Sequence, residues 1–190
     1  MEPMRVVSVN VSLPRRVPYR GRTVSTAIFK EPVAGRIPVR AAGLQGDAVG
    51  DPRVHGAPNK AVYAYPSEHY AFWTGELPGM ALPWGMFGEN LTTAGLLEED
   101  VHRGDQFRAG TAVLEATNPR FPCFKLGIRF GREDIEDRFL QSGRSGFYFR
   151  VLREGDIAAG DPIERIASPK AGPTIADVVR ERIDEAVGGE

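Results

Sequence analysis

With a single cysteine, Cys123, the chain has no route to an internal disulfide, and it cannot hold an iron–sulfur cluster on its own thiolates. Charge of either sign is not in excess. Lys and Arg number 24 against 25 Asp and Glu, and the net charge of -1 removes the electrostatic case for nucleic acid or an anionic membrane as partner. No apolar run approaches the roughly 18 residues of a spanning helix. The start, Met1 to Val7, lacks a basic segment followed by an apolar core, so the expectation is a cytoplasmic protein. Neither GxGxxG nor GxxxxGK[ST] occurs, which leaves no direct case for NAD or ATP. The three histidines, His55, His69 and His102, have no metal-ligand spacing between them.

What is present is an ordinary globular composition, 42% hydrophobic and 26% charged, with 22 glycines and 15 prolines punctuating short apolar stretches. Alternation predicts strands over 5–11 and 23–30, a short one over 36–40, and a β-branched and aromatic one over 60–65. The basic stretch 14–22 reads as a solvated loop, and residues 43–59 as a long functional connection. Helices are expected over 68–77, capped by Ser67, over 131–141, and over 174–187 with an apolar stripe from Ile175 to Val187. Further strands fall at 90–93, 147–153 and 162–166. Regular strand spacing with few helices predicts a mainly β fold, a closed or nearly closed barrel with peripheral short helices. The expected organisation is a barrel domain over 1–168 and a C-terminal helical extension over 169–190.

The stretch Thr117 to Leu126 carries the cysteine. Pro119 and Pro122 bracket Arg120 and Phe121 and stiffen the approach to Cys123. Arg120 and Lys125 would raise the thiolate fraction of a nearby thiol, and a bound metal would deprotonate it outright. On local sequence alone Cys123 reads first as a small buried hydrophobe, the usual state of a lone cysteine.

Several segments together point further. Gly43-Leu44-Gln45-Gly46-Asp47, His55-Gly56, Lys60 to Tyr70, Phe87 to Thr93, Asn118 to Leu126, Ser142 to Tyr148 and Ala159-Gly160-Asp161 follow one another in this order. In that order they resemble the MOSC domain of the YiiM-like branch, and the likeness covers most of the chain. The resemblance implies a barrel-like β domain that binds the molybdenum cofactor, with Cys123 as catalytic residue and sulfur ligand to the metal beside two dithiolene sulfurs of the pterin. Soft donors of this kind suit a redox metal. It further implies that Lys60, Arg120 and Arg144 supply cations for phosphate or substrate, that Glu89 and Asn90 meet the pterin edge, and that Asn118 and His55 support the site. The activity implied is reduction of N-hydroxylated compounds, base analogues among them, in a detoxifying role, with electrons from a separate reductase. The alternative is a non-catalytic carrier holding cofactor or sulfur on Cys123. A homodimer is compatible with both. Two departures mark this chain: His55-Gly56-Ala57-Pro58-Asn59-Lys60 stands where many relatives read His-Gly-Gly-x-Asp-Lys, and a single helix stands where they carry a three-helix appendage.

Overall fold

In the computed structural model, residues 3–48, 57–169 and 172–188 are described. Thirteen strands follow in chain order among them: β1 (Arg5–Val11), β2 (Arg15–Tyr19), β3 (Arg22–Thr26), β4 (Glu31–Pro32), β5 (Ile37–Arg40), β6 (Gly43–Leu44), β7 (Val62–Pro66), β8 (Leu91–Ala94), β9 (Gln106–Ala109), β10 (Ala112–Pro119), β11 (Phe147–Arg153), β12 (Gly155–Ile157) and β13 (Ile163–Ala167). The helices are α1 (Glu68–Glu76), α2 (Phe124–Phe130), α3 (Ile135–Gln141) and α4 (Ile175–Gly188).

Strand β7 organises the interior. Its sequence, Val-Tyr-Ala-Tyr-Pro, is buried at every position, because a strand points alternate side chains to opposite faces and here both faces are covered. Val62 and Ala64 join an aliphatic core with Val6, Val9, Leu91, Phe107, Leu114 and Phe147. Tyr63 and Tyr65 join an aromatic core with Tyr70, Trp73, Phe87, Phe130 and Phe139. Aromatic rings bury the largest areas and settle into offset and edge contacts, as Tyr65 does against Phe87 at 4.4 Å between centroids. The indole of Trp73 donates to the Tyr65 hydroxyl at 2.8 Å, so the polar ends are satisfied inside the apolar mass.

Eight strands form the main sheet in the order β13-β9-β10-β11-β7-β8-β1-β4, antiparallel throughout except for the β7–β8 pair. The sheet does not close into a barrel by strand pairing. Strand β1 meets the chain at the entry to β13 through a single isolated antiparallel bridge, Arg5 opposite Pro162, and backbone bonds such as Val6 N–H to Asp161 O at 2.9 Å and Ile163 N–H to Met4 O at 2.8 Å. Of the expected closed or nearly closed barrel, the mainly β fold holds and full closure is corrected: the chain forms a large mixed sheet with a bridged seam, the strand at that seam being interrupted by the turn at Gly160.

Four local expectations are also corrected. The basic stretch 14–22 is no loop: β2 and β3 pair as a hairpin with Tyr19 opposite Arg22, leaving Arg20 and Gly21 as a two-residue turn. Both turn residues have positive φ, 46° and 75°, the conformation that lets a tight hairpin keep the strand twist. β3 ends at Thr26, and residues 27–30 leave the ladder instead of extending it. A helix the sequence reading missed, α2, begins directly after Cys123 and stops at Gly131, whose left-handed backbone (φ 63°) caps it by donating to Gly127 O. Gly131 ends one helix; it does not begin the next. Ser67, expected as a cap, has helical dihedrals and makes no capping bond.

Helix α4 is tied to the body by its first turns. Ile175 donates to Val101 O at 2.8 Å, and Ile175 and Val179 are buried. Its apolar stripe is fully buried only there; Ile183 is half-buried and Val187 exposed.

Candidate active site

Strand β10 runs through Pro119 at its end and delivers Arg120 and then Cys123 to the edge of the aromatic core. Arg120 N–H reaches Gly146 O at 3.3 Å. The two prolines prevent this stretch from continuing the ladder, so the chain crosses the end of the sheet before α2 begins. Cys123 is extended (φ -140°, ψ 166°), free and half-buried, and its carbonyl accepts from Leu126 N–H at 2.8 Å.

Cys123 lies on the wall of a cavity of about 460 Å³ that Lys60, Asn90, Arg120, Lys125 and Tyr148 also line, with Lys30 and Asp47. That volume is in the range of small-molecule and cofactor sites. Stretches around residues 43–48, 60–63, 88–90 and 120–125 thus meet at one place.

Arg120 defines the electrostatics. Its residue is only 6% exposed, and its Nη1 donates to Phe87 O at 3.0 Å. Its guanidinium stands 5.1 Å from the Tyr63 ring and 5.3 Å from the Phe139 ring. Among the described residues no carboxylate pairs with it. Burial works against its charge, yet the oxygens of Tyr63 and Tyr148 and the sulfur of Cys123 hold its pKa above the ordinary arginine value, so it stays protonated. Burial pushes the Tyr63 hydroxyl well above the usual tyrosine range and raises Tyr148 also, with Arg120 opposing both, and both remain neutral phenols at pH 7. A buried, uncompensated cation is costly unless an anion meets it.

Another part of the wall is a braced ion pair. Lys30 Nζ donates to Asp47 Oδ1 at 2.6 Å and to Ala27 O at 3.2 Å, and the two side chains are 9% and 11% exposed. Asp47 also accepts from Ser12 N–H at 2.9 Å and from Asn90 Nδ2 at 2.8 Å. Lys60 closes a short 3₁₀ turn, Pro58–Lys60, and sets its ammonium 5.8 Å from the Tyr148 ring centroid.

The residues expected at the site divide accordingly. Cys123, Arg120, Lys60 and Asn90 come together, although the amide of Asn90 is committed to Tyr63 N–H (3.0 Å) and Asp47 and braces the wall. Glu89 does not face the cavity. It is fully buried and accepts from Tyr70 Oη, Gly85 N–H, Phe87 N–H and Thr92 Oγ1, which folds the 83–92 turn around one carboxyl group. Asn118 is not among the lining residues and binds Arg103. Arg144 lies over Phe72, 3.8 Å from the ring centroid, with Nη1 donating to Ser142 O, away from the cavity. His55 lies outside the described residues. Lys125, expected beside the thiol, lines the cavity as well; missed were Lys30, Asp47 and Tyr148. Asp47, inside the Gly43 to Asp47 motif, and Tyr148, at the end of the Ser142 to Tyr148 motif, carried a sequence signal; Lys30 reads as the end of an apolar strand until the chain turns inward.

Glu89 provides a direct test of its structural role. Burial raises its pKa above the ordinary glutamate range while the surrounding donors oppose that shift. Glu89→Gln leaves an amide where two backbone N–H groups need an acceptor, and it is expected to cost about 2–4 kcal/mol. For a chain of this size that lowers Tm by roughly 5–15 °C. Thermal unfolding checks it, and a Tm within about 2 °C of the parent would mean that the carboxyl is carried neutral.

Among the described residues no three His, Cys, Asp or Glu side chains gather as a metal site. One thiol beside buried cations instead suits a ligand that brings its own negative charge and further metal donors.

A mainly β domain with one thiol set in a basic cavity is the class that fold and site define. The chain belongs to the MOSC domain family, whose model matches residues 51–164. It is 40% identical over 170 residues to the uncharacterized protein YflK of Bacillus subtilis, an alignment covering 90% of this chain and 76% of that one. It is 35% identical over 163 residues to a protein named reductase from Gibberella moniliformis, covering 84% of this chain but only 29% of the fungal protein. Its structure resembles the crystal structure of YiiM from Geobacillus stearothermophilus with a TM-score of 0.80 at 37% identity, over 96% of this chain and 85% of that one. No helix among the described residues is long and apolar enough to cross a membrane.

Proposed function

We propose that this chain binds the molybdenum cofactor in the Cys123 cavity and reduces N-hydroxylated compounds with electrons from a separate donor protein in the cytoplasm. The observation that carries the reading is the buried Arg120 guanidinium, which has no carboxylate partner among the described residues and lines the same cavity as the only thiol. Arg120, with Lys60 and Lys125 on the cavity wall, would hold the anionic part of the cofactor. Cys123 would supply one thiolate ligand. Lys30, Asp47 and Asn90 keep another part of the wall in place, and the phenol of Tyr148 is positioned to orient a polar substrate group. Bound there, the cofactor would supply the two-electron redox centre.

The overall change is R–NHOH plus two electrons and two protons giving R–NH₂ and water: the N–O bond breaks, nitrogen takes one proton and the departing hydroxyl takes the other. Membership in the MOSC family and likeness to a protein named reductase favour this reading.

The test is metal and pterin analysis of protein made in a molybdenum-replete host, with turnover of an N-hydroxylated amidine driven by reduced viologen. About one molybdenum and one pterin per chain with turnover is expected. Cofactor without turnover would leave the carrier role, and protein free of both molybdenum and pterin would overturn the proposal.

A further inference from the structure

Two stretches of the chain, 13–30 and 119–132, hold nine Lys and Arg residues and not one Asp or Glu, although the whole chain has a net charge of -1, and all of the nine but Lys30 and Arg120 reach the surface. The fold puts these stretches side by side. The β2–β3 hairpin lies on α2, with Tyr19 stacked on Phe124 at 5.1 Å and the Arg22 guanidinium 5.5 Å from the same ring. Arg15 and Arg129 approach one ring, that of Phe29, at 3.4 and 5.2 Å.

Elsewhere surface arginines are commonly paired, as in Arg36–Asp161, Arg108–Glu164 and Arg150–Glu115. On this face only its edges are, through Arg20–Glu133 and Arg132–Asp134. Among the described residues, Arg15, Arg22, Lys125 and Arg129 have no carboxylate in ion-pair range. Arg129 Nε is shielded from solvent and lacks a hydrogen-bond partner. Burial, and next the charge of Arg15, push the Arg129 guanidinium below the ordinary arginine range, with the more distant carboxylates of Glu89 and Glu31 opposing that shift. Two like charges crowded on one ring repel unless an anion comes between them.

The face adjoins the cavity. Lys125 lines the cavity and Arg129 stands one helical turn further along α2, about 5–6 Å away between Cβ atoms. Phe121, between Arg120 and Cys123 in the chain, also lines the cavity and is 40% exposed. Exposed aromatic and arginine side chains together are the composition of a protein contact surface.

We infer that the β2–β3 hairpin and α2 form the docking face for an acidic electron-transfer protein, with Arg15 and Arg129 receiving a carboxylate of the partner and Phe121 the apolar contact at the cavity rim. The inference rests on the reductase reading, since a carrier needs no electron donor. Complementary charge raises the rate of encounter and fixes orientation, and salt weakens it.

The full chain loaded with cofactor is assayed with a small acidic flavodoxin as donor and with reduced viologen as comparator. For Arg15→Gln/Arg129→Gln, kcat/KM with flavodoxin should fall about tenfold or more, with viologen-driven turnover unchanged. The wild-type flavodoxin rate should fall steeply between about 0.05 and 0.5 M salt. Calorimetric affinity for oxidised flavodoxin should weaken in parallel, while Arg108→Gln/Arg150→Gln leaves both readouts near wild type. An unchanged flavodoxin rate and affinity in the first variant would overturn the docking face and leave the reductase reading standing. A 20-nucleotide RNA bound as tightly as flavodoxin at the same salt would also overturn it, as a face for polyanions in general. Absence of viologen-driven turnover in the wild type would sink the reductase reading instead, and the calorimetric arm would still decide the docking face.

Discussion

Cys123→Ser is expected to abolish reductase turnover, by about 10²-fold or more, and to strip molybdenum from the purified protein, while Tm moves by only a few degrees. The exchange is nearly isosteric but replaces a soft, readily ionised sulfur with a hydroxyl that stays protonated near neutral pH. Cys123 is half-buried and precedes α2 without capping it through its side chain, so the packing lost is small, about 1 kcal/mol. A purely structural cysteine predicts the reverse: lower stability from a poorly paired hydroxyl and undiminished turnover. Metal content, viologen-driven turnover and thermal unfolding measured on the same preparation separate the two, and full turnover in the serine variant excludes Cys123 as a ligand.

Arg120→Met should move binding and stability in opposite directions. In the cofactor-free protein the variant removes a buried cation with no carboxylate partner among the described residues and keeps most of the side chain's volume. Replacing a buried charge with an apolar group of similar size is often neutral or stabilising by about 1–4 kcal/mol. Against this stands the lost bond to Phe87 O, about 1–3 kcal/mol for a charged donor. The expected Tm of the cofactor-free variant is therefore equal to or above the parent's. In the loaded protein the anion loses its buried partner, and molybdenum and pterin per chain should fall about tenfold or more, against little change for the exposed Arg15→Met. A variant that keeps its pterin, or whose cofactor-free form loses more than about 3 kcal/mol in urea unfolding, would show that Arg120 serves the fold and not a ligand.

Much of the strand order was legible before any coordinates. β1, β5, β7, β8, β11 and β13 fall where alternation and β-branched residues put them, because side-chain period and burial are local consequences of composition. The hairpin β2–β3 was not legible, since its charged residues mask alternation and its turn is Arg20-Gly21 instead of a strong turn pair. Helix α2 was hidden by the prolines before it, although Gly131 marks its end. Of the site, the Cys123 motif and its neighbours Arg120 and Lys60 were readable. Glu89, Asn118 and Arg144 lie off the cavity lining, since a motif shows which residues are near in sequence and not which way each side chain turns.

What the sequence by itself determined is the family, the single thiol and the cations on either side of it, all carried by residues close together in the chain. The tertiary structure alone decided that Arg120 is buried without a carboxylate partner among the described residues, that Lys30 and Asp47 brace another part of the cavity wall, and that two acid-free stretches a hundred residues apart make one basic face. The reason is that local pattern sets which face of a strand is apolar, whereas solvent exclusion and pairing of charge depend on segments that meet only when the chain is packed.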